Sequence, residues 1–199
     1  MAANTNKVRF GASHVMYAIY DEDEKKYGEW VPMAGAVQIS FEPQGNTSTF
    51  YADNVSYYTS TGAASDTGNL EIADMTDQAK IDLLGYEQDS VSGLIIETSN
   101  ARHKAFAMGY QVEGDGNTMR GIKYNVTLNR PSQTHSTTTD STEPSTLTLD
   151  YTCIGRDFTV NDEVKNVLGA YTTDAGETHE AFDNFFKKVI EPGKTAKMA

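Results

Sequence analysis

MAGAVQISFEPQGNTSTFYADNVSYY, residues 33–58, is the stretch on which the reading of the fold turns. Val37, Ile39 and Phe41 alternate with Gln38, Ser40 and Glu42, the two-residue period of a strand with one face buried. Pro43 and Gly45 are expected to stop that ladder, since proline has no N–H to donate and glycine admits a turn. Residues 44–60 then read as a polar loop that carries Phe50, Tyr51, Tyr57 and Tyr58. Large aromatic rings on a segment too polar to make its own core need a surface to pack on. That surface is either the rest of the domain or a neighbouring subunit, and a neighbour is the natural candidate.

Outward from this stretch, strand patterns dominate. Val15, Tyr17 and Ile19 share a face, and residues 21–26 form a charged turn whose carboxylates lack calcium-loop spacing. Leu70 and Ile72 continue a sheet, and residues 93–98 suggest a short strand with Leu94 and Ile96. Phe106, Met108, Tyr110 and Val112 alternate up to Gly114-Asp115-Gly116-Asn117, and Ile122, Tyr124, Val126 and Leu128 alternate back, which predicts a tight hairpin. Leu147, Leu149, Tyr151 and Cys153 make a further strand. One helix is signalled by Thr76 as N-cap, Asp77 in the first turn, Ala79, Leu83 and Leu84 on one face, and Gly85 as the left-handed terminator. Residues 133–142 read as a Ser/Thr-rich excursion. Near the end, Phe182, Phe185, Phe186, Val189 and Ile190 fall on one helical face, with Thr178 as a cap and Pro192-Gly193 as a stop. Such a helix docks either on its own domain or on a neighbour.

The fold class expected is mainly β: two packed antiparallel sheets or a partly closed barrel, one flanking α-helix, long loops and a C-terminal arm or helix. Residues 1–160 are expected to form the β-sandwich domain, and 161–199 a C-terminal extension with a short amphipathic helix. A chain of 199 residues is long enough for a sizeable core without disulfides or metals. Its single cysteine, Cys153, alternates with apolar residues and reads as a buried structural thiol.

Composition excludes several functions. A net charge of -12 argues against wrapping nucleic acid, where affinity comes from cations neutralising phosphates. Residues 66–115 hold ten acids against three bases, so the acidity is concentrated there. No apolar run approaches the ~20 residues needed to span a bilayer, and with no secretory signal the chain is expected to fold in a cytoplasm. His14, His103, His135 and His179 are scattered without ligand spacing, and no nucleophile signature is present. The glycines at 114 and 116 precede a strand rather than a helix, unlike a phosphate-binding loop. No catalytic residue, metal or cofactor is expected.

The same residues resemble a known family. Gly35-Ala36-Val37, Ser40, Glu42-Pro43 and Gly45, followed by Phe50-Tyr51-Ala52-Asp53-Asn54 and Tyr57-Tyr58, are similar to the major tail protein of long, non-contractile-tailed bacteriophages of Gram-positive hosts. The likeness continues through Gly68-Asn69-Leu70-Glu71-Ile72-Ala73, Leu84-Gly85, Phe106-Ala107-Met108, Gly114-Asp115, Tyr124-Asn125-Val126-Thr127, Arg130-Pro131 and Thr142-Glu143-Pro144. Met33-Ala34 stands where that pattern has a proline before the Gly-Ala-Val run.

The resemblance implies a structural virion protein. It implies homo-hexameric rings that stack into a hollow tail tube, made in the host bacterial cytoplasm and traversed by DNA at ejection. The partners implied are a tape measure protein, a tail terminator and baseplate or distal tail proteins. On this reading Phe50, Tyr51, Tyr57, Tyr58, Phe182, Phe185 and Phe186 are candidate subunit contacts. Glu71, Asp74, Glu97 and Glu113, which flank the predicted strands, are candidates for an acidic lumen that repels phosphate. The rival readings are a monomeric carbohydrate-binding or adhesin module, another virion ring protein on a related fold, and a hydrolase with a carboxylate pair.

Overall fold

The computed structural model describes residues 8–33, 35–45, 47–52, 55–61, 65–133, 145–174 and 180–194. In chain order its elements are β1 (Arg9–Asp21), β2 (Lys26–Tyr27), β3 (Val31–Pro32), β4 (Ala36–Ile39), β5 (Glu42–Gln44), β6 (Thr47–Ala52), β7 (Val55–Thr61), β8 (Ser65–Ile72), α1 (Asp77–Leu84), β9 (Glu87–Gln88), β10 (Ile95–Ile96), β11 (Phe106–Gly114), β12 (Met119–Leu128), β13 (Leu147–Ile154), β14 (Arg156–Val160), β15 (Glu163–Val167), β16 (Gly169–Thr173) and α2 (Glu180–Asp183). Ten strands form one open antiparallel sheet in the order β2-β1-β11-β12-β13-β8-β4, with β16 on β12, β3 on β1 and β5 on β8. Three ribbons, β6–β7, β9–β10 and β14–β15, stand outside it. The protein is therefore mainly β and antiparallel, with the sheet not closed into a barrel.

Two apolar clusters lie on opposite faces of the sheet. The larger gathers Val15 and Tyr17 from β1, Phe106, Met108 and Tyr110 from β11, Val126 and Leu128 from β12, Leu149, Tyr151 and Cys153 from β13, and Leu70 and Ile72 from β8. The helix α1 covers it with Ala79, Leu83 and Leu84, as the sequence predicts. Thr76 caps α1 by accepting from the Ala79 N–H at 3.2 Å, and the Tyr17 hydroxyl donates to Asp82 at 2.9 Å, pinning the helix to β1. Gly85 ends it at φ 71°, and a Cβ there would meet the Arg102 carbonyl at 2.4 Å.

The smaller cluster holds Ala18, Ala107, Ile122, Tyr124, Phe158 and Phe185. It exists because the pairing of β11 with β12 slips between Phe106 and Met108. Phe106 faces Val126, but Met108 faces Lys123, so the alternation of β12 reverses. The sequence pattern places Ile122, Tyr124, Val126 and Leu128 on one face. The bulge instead sends the first two to the smaller core and the last two to the larger. The turn is also wider than expected, four residues between Gly114 and Met119 rather than a tight pair.

The opening stretch shows the same effect. A register shift between Ala36 and Gln38 leaves Val37 exposed, so Ala36, Ile39 and Phe41 are the residues packed on the larger core. Pro43 does not stop the ladder; β5 pairs with β8 on the sheet edge, where proline is tolerated. Residues 44–60 are not a loop, since β6 and β7 pair antiparallel. Only residues 95–96 of the predicted strand at 93–98 are extended in pairing. The β14–β15 hairpin runs across residue 160 as a ribbon of its own, and β16 returns to the main sheet on β12. Of the excursion expected at 133–142, residues 134–142 lie outside the described residues, as does Thr178.

Candidate assembly surfaces

The β6–β7 ribbon is built almost wholly from Thr, Ser, Tyr and small residues, and its threonines favour extended backbone. Its pairing runs from Thr47 opposite Thr61 to Ala52 opposite Val55. Tyr57 and Tyr58 are 75% and 61% exposed, and Val55 is exposed as well. Tyr57 is the extra residue of a bulge between the Phe50–Tyr58 and Tyr51–Ser56 pairs, so the ribbon bends there and shows two bare rings side by side in sequence. A lone two-stranded ribbon is marginal in water. Among the described residues this one pairs with no other strand, which leaves its edges open to a partner. Phe50 and Tyr51 lie on β6, of which the backbone alone is described.

A second surface follows from register. On β8 and β13, Leu70, Ile72, Leu149, Tyr151 and Cys153 turn into the larger core, so the residues between them line the opposite face. Glu71 stands beside Thr148 and Gln38, Asn69 beside Asp150, and Thr67 beside Thr152 and Glu42. Thr127 extends this polar row onto β12. The acids on it are Glu42, Glu71 and Asp150, and Thr146 donates to Glu71 at 2.5 Å. Asp150 could have been found from sequence, because it alternates with Leu149 and Tyr151. Glu42 was masked by the expectation that Pro43 ends pairing.

The four acids expected to act together are separated. Glu71 lies on the polar face, whereas Asp74 follows β8 and accepts from the Met75 N–H at 2.7 Å. Glu97 is ion-paired with Arg130. Glu113 sits near the end of β11, separated from β8 by two strands in sheet order, where Ser13 donates to it at 3.5 Å.

The C-terminal segment is a strap rather than a long helix. Only one turn, α2, forms before the chain lies down over the smaller core. Side chains of β12 and of the connection between β2 and β3 capture its carbonyls: Arg120 donates to Phe182 at 2.5 Å, Trp30 to Phe185 at 2.8 Å and Tyr124 to Ile190 at 2.7 Å. Trp30 stacks on Phe185 with ring centroids 6.3 Å apart, and Arg120 lies over Phe182 and Phe186 at 3.9 and 4.9 Å. The segment thus docks on its own domain. Phe185 is buried there, and a contact with a neighbour through that ring would require undocking it.

Among the described residues no group of three His, Cys, Asp or Glu side chains is placed to hold a metal. Burial raises the Cys153 thiol to about 11, outweighing the nearby Lys123 ammonium, which acts to lower it. A thiol so held is inert. No described helix is long and apolar enough to cross a membrane.

No curated protein matches the chain. The family model described as phage tail tube protein matches residues 1–195. With the match covering nearly the whole sequence, the chain belongs to the phage tail tube protein family, and it is a structural component of the virion rather than an enzyme.

Proposed function

We propose that the chain polymerises as stacked hexameric rings into the hollow tail tube of a long non-contractile tail, and that DNA leaves the virion through it. The observation that carries this reading is the β6–β7 ribbon, which offers Tyr57 and Tyr58 largely exposed and, among the described residues, pairs with no other strand. Tyr is a favoured anchor at subunit contacts, because it buries much area at little cost in rotamer freedom. A ribbon seated on a different patch of the next subunit makes a heterologous contact, which closes a ring or propagates a filament. Phe182 and Phe186, at the rim of the strap, are secondary candidates for such contacts.

The polar face of β8 and β13 is the surface proposed to line the lumen, with Glu42, Glu71 and Asp150 as its acids. Fixed negative charge repels phosphate over about a Debye length, ~8 Å at physiological salt, so DNA slides without adhering. Joining the open sheets of six subunits removes exposed edge strands, which otherwise invite aggregation. The family's tape measure, terminator and distal tail proteins would set where the tube starts and stops.

The test is negative-stain electron microscopy of the purified chain after concentration. Hollow tubes or six-fold rings are the expected result, and Tyr57→Ala combined with Tyr58→Ala leaves a folded protein that forms neither. Persistent single particles at all concentrations, with or without the tail proteins that initiate assembly, would remove this reading.

A further inference from the structure

The β9–β10 ribbon ends in a tip whose sequence, Asp89-Ser90-Val91-Ser92-Gly93-Leu94, folds on itself. The Asp89 carboxylate accepts from the Val91 N–H at 3.0 Å, from the Ser92 N–H at 3.2 Å and from the Ser92 hydroxyl. The Asp89 N–H donates to the Leu94 carbonyl at 2.9 Å, and the Gly93 N–H donates back to the Asp89 carbonyl at 2.8 Å. These bonds, the one from the Ser92 hydroxyl foremost, hold the carboxyl below its usual range, so the turn stays anionic and closed. Closure has an outward consequence. Val91 is 92% exposed and Leu94 66% exposed, two aliphatic side chains displayed on a turn that is already ordered. Docking such a knob costs little further entropy.

An apolar groove of about 370 Å³ lies elsewhere on the molecule, lined in part by Arg9, Phe10, Phe41, Tyr110, Val112 and Met119. Arg9 is the single charged residue of its lining. Glu113, cross-strand from Phe10, is outside it. In a chain of net charge -12, copies repel one another wherever acid meets acid. This groove, apolar with one cation at its rim, is where an apolar tip flanked by Glu87 and Asp89 meets complementary charge.

Position supplies the second argument. The groove is built on the far end of the β11–β12 pair, at Tyr110, Val112 and Met119. The β9–β10 ribbon is anchored at the opposite end, where Glu97 pairs with Arg130 just beyond β12 and the chain enters β11 at Phe106. Four to six residues of β11 lie between Phe106 and the groove at Tyr110 and Val112, roughly 14–20 Å at about 3.4 Å per residue. Val91 and Leu94 are exposed and absent from the groove's lining, so knob and socket are not joined within a copy, but they can be between copies placed head to tail.

We infer that the Val91–Leu94 knob of one subunit seats in the Arg9-rimmed groove of a second copy of this chain, as a head-to-tail contact of the assembly. The inference rests on the tube reading above for its partner, and names a contact that the tyrosine ribbon does not supply. Both knob residues are exposed, so Val91→Glu with Leu94→Glu leaves the fold intact.

The test uses the full chain. Tube formation of wild type is compared with Val91→Glu/Leu94→Glu, and a Val91→Cys chain is mixed with a Phe10→Cys chain under mild oxidation, Cys153 being buried and silent. The expected result is at least about a tenfold loss of tubes in the charged variant, the scale on which buried interface charges act, and a disulfide-linked dimer only in the mixed sample. Wild-type tubes that persist in the charged variant, without that dimer, would overturn the knob contact and leave the tube reading standing. Wild type that never assembles would remove the tube reading, and absence of the mixed dimer in the same concentrated sample would remove the knob contact with it.

Discussion

Lys123 on β12 donates to the Asp66 carboxylate on β8, across a sheet in which β13 stands between the two strands. Both side chains are largely withdrawn from water, Asp66 more completely, and the Phe41 ring lies 5.3 Å from the ammonium. A charge in such a place depends on its partner. Asp66→Ala should therefore destabilise the protein by about 3 kcal/mol and lower Tm by about 6 to 12 °C. Asp66→Leu with Lys123→Met should recover most of that loss. Thermal unfolding followed by circular dichroism separates the two outcomes, and an unchanged Tm in the single variant would show the pair to be idle.

The strap over the smaller core should be held chiefly by Arg120. Its Nε donates to Gln111 at 2.9 Å, while the same guanidinium reaches the Phe182 carbonyl and two rings. Lysine cannot make this forked arrangement. Arg120→Lys should cost about 1–2 kcal/mol locally, read as roughly tenfold faster tryptic cleavage at Lys187 and Lys188. Equal cleavage rates in native buffer would place the hold elsewhere.

Alkaline pH should weaken the fold through Cys153. Burial lifts its thiol from an ordinary 9.0 to about 11. Between those values the unfolded chain has released the proton and the folded chain keeps it, so stability is intact below pH 9 and falls as pH rises toward 11. Tyr124 and Tyr151, raised by burial as well, act in the same sense. Cys153→Ala should start lower, because a small cavity is left, yet lose less between pH 9 and 11. Parallel slopes for the two proteins would contradict this.

Reversing charge on the polar sheet face should convert a repelling wall into an adhesive one. Glu71→Lys with Asp150→Lys touches only outward positions, so folding and tube formation should persist. Tubes of this variant should retain double-stranded DNA at low salt and release it as salt rises. Tubes that ignore DNA at every ionic strength would show that this face looks elsewhere.

Much of the architecture was legible in sequence where one period ran unbroken. The strand at Leu147, Leu149, Tyr151 and Cys153 and the helix from its Thr76 cap to Gly85 stand as the residues imply. Legibility failed where an extra residue entered a ladder. Val37 and the slip opposite Phe106 each turn a correct alternation onto the wrong face, and nothing in residue type marks either place. The ribbon at 47–61 was hidden because Ser, Thr and Asn suit turns by composition, while threonine's branching suits strands. The closing segment kept its helical spacing but not its helix, and Arg120 and Trp30 take the Phe182 and Phe185 carbonyls that a helix would have used. Of the surfaces, the two tyrosines were evident early. The polar face needed register, and the Val91 tip needed the bonds that close it.

The strap carries a consequence for synthesis. Ala18 and Ala107 lie on strands made early, yet Phe185, which covers that side, emerges late from the ribosome. Until it arrives, a nascent chain has one finished core and one naked apolar wall. Closure of the smaller core thereby waits until residue 185 has left the ribosome, after the last strand of the sheet, and a subunit ready to join others is one whose strap has docked.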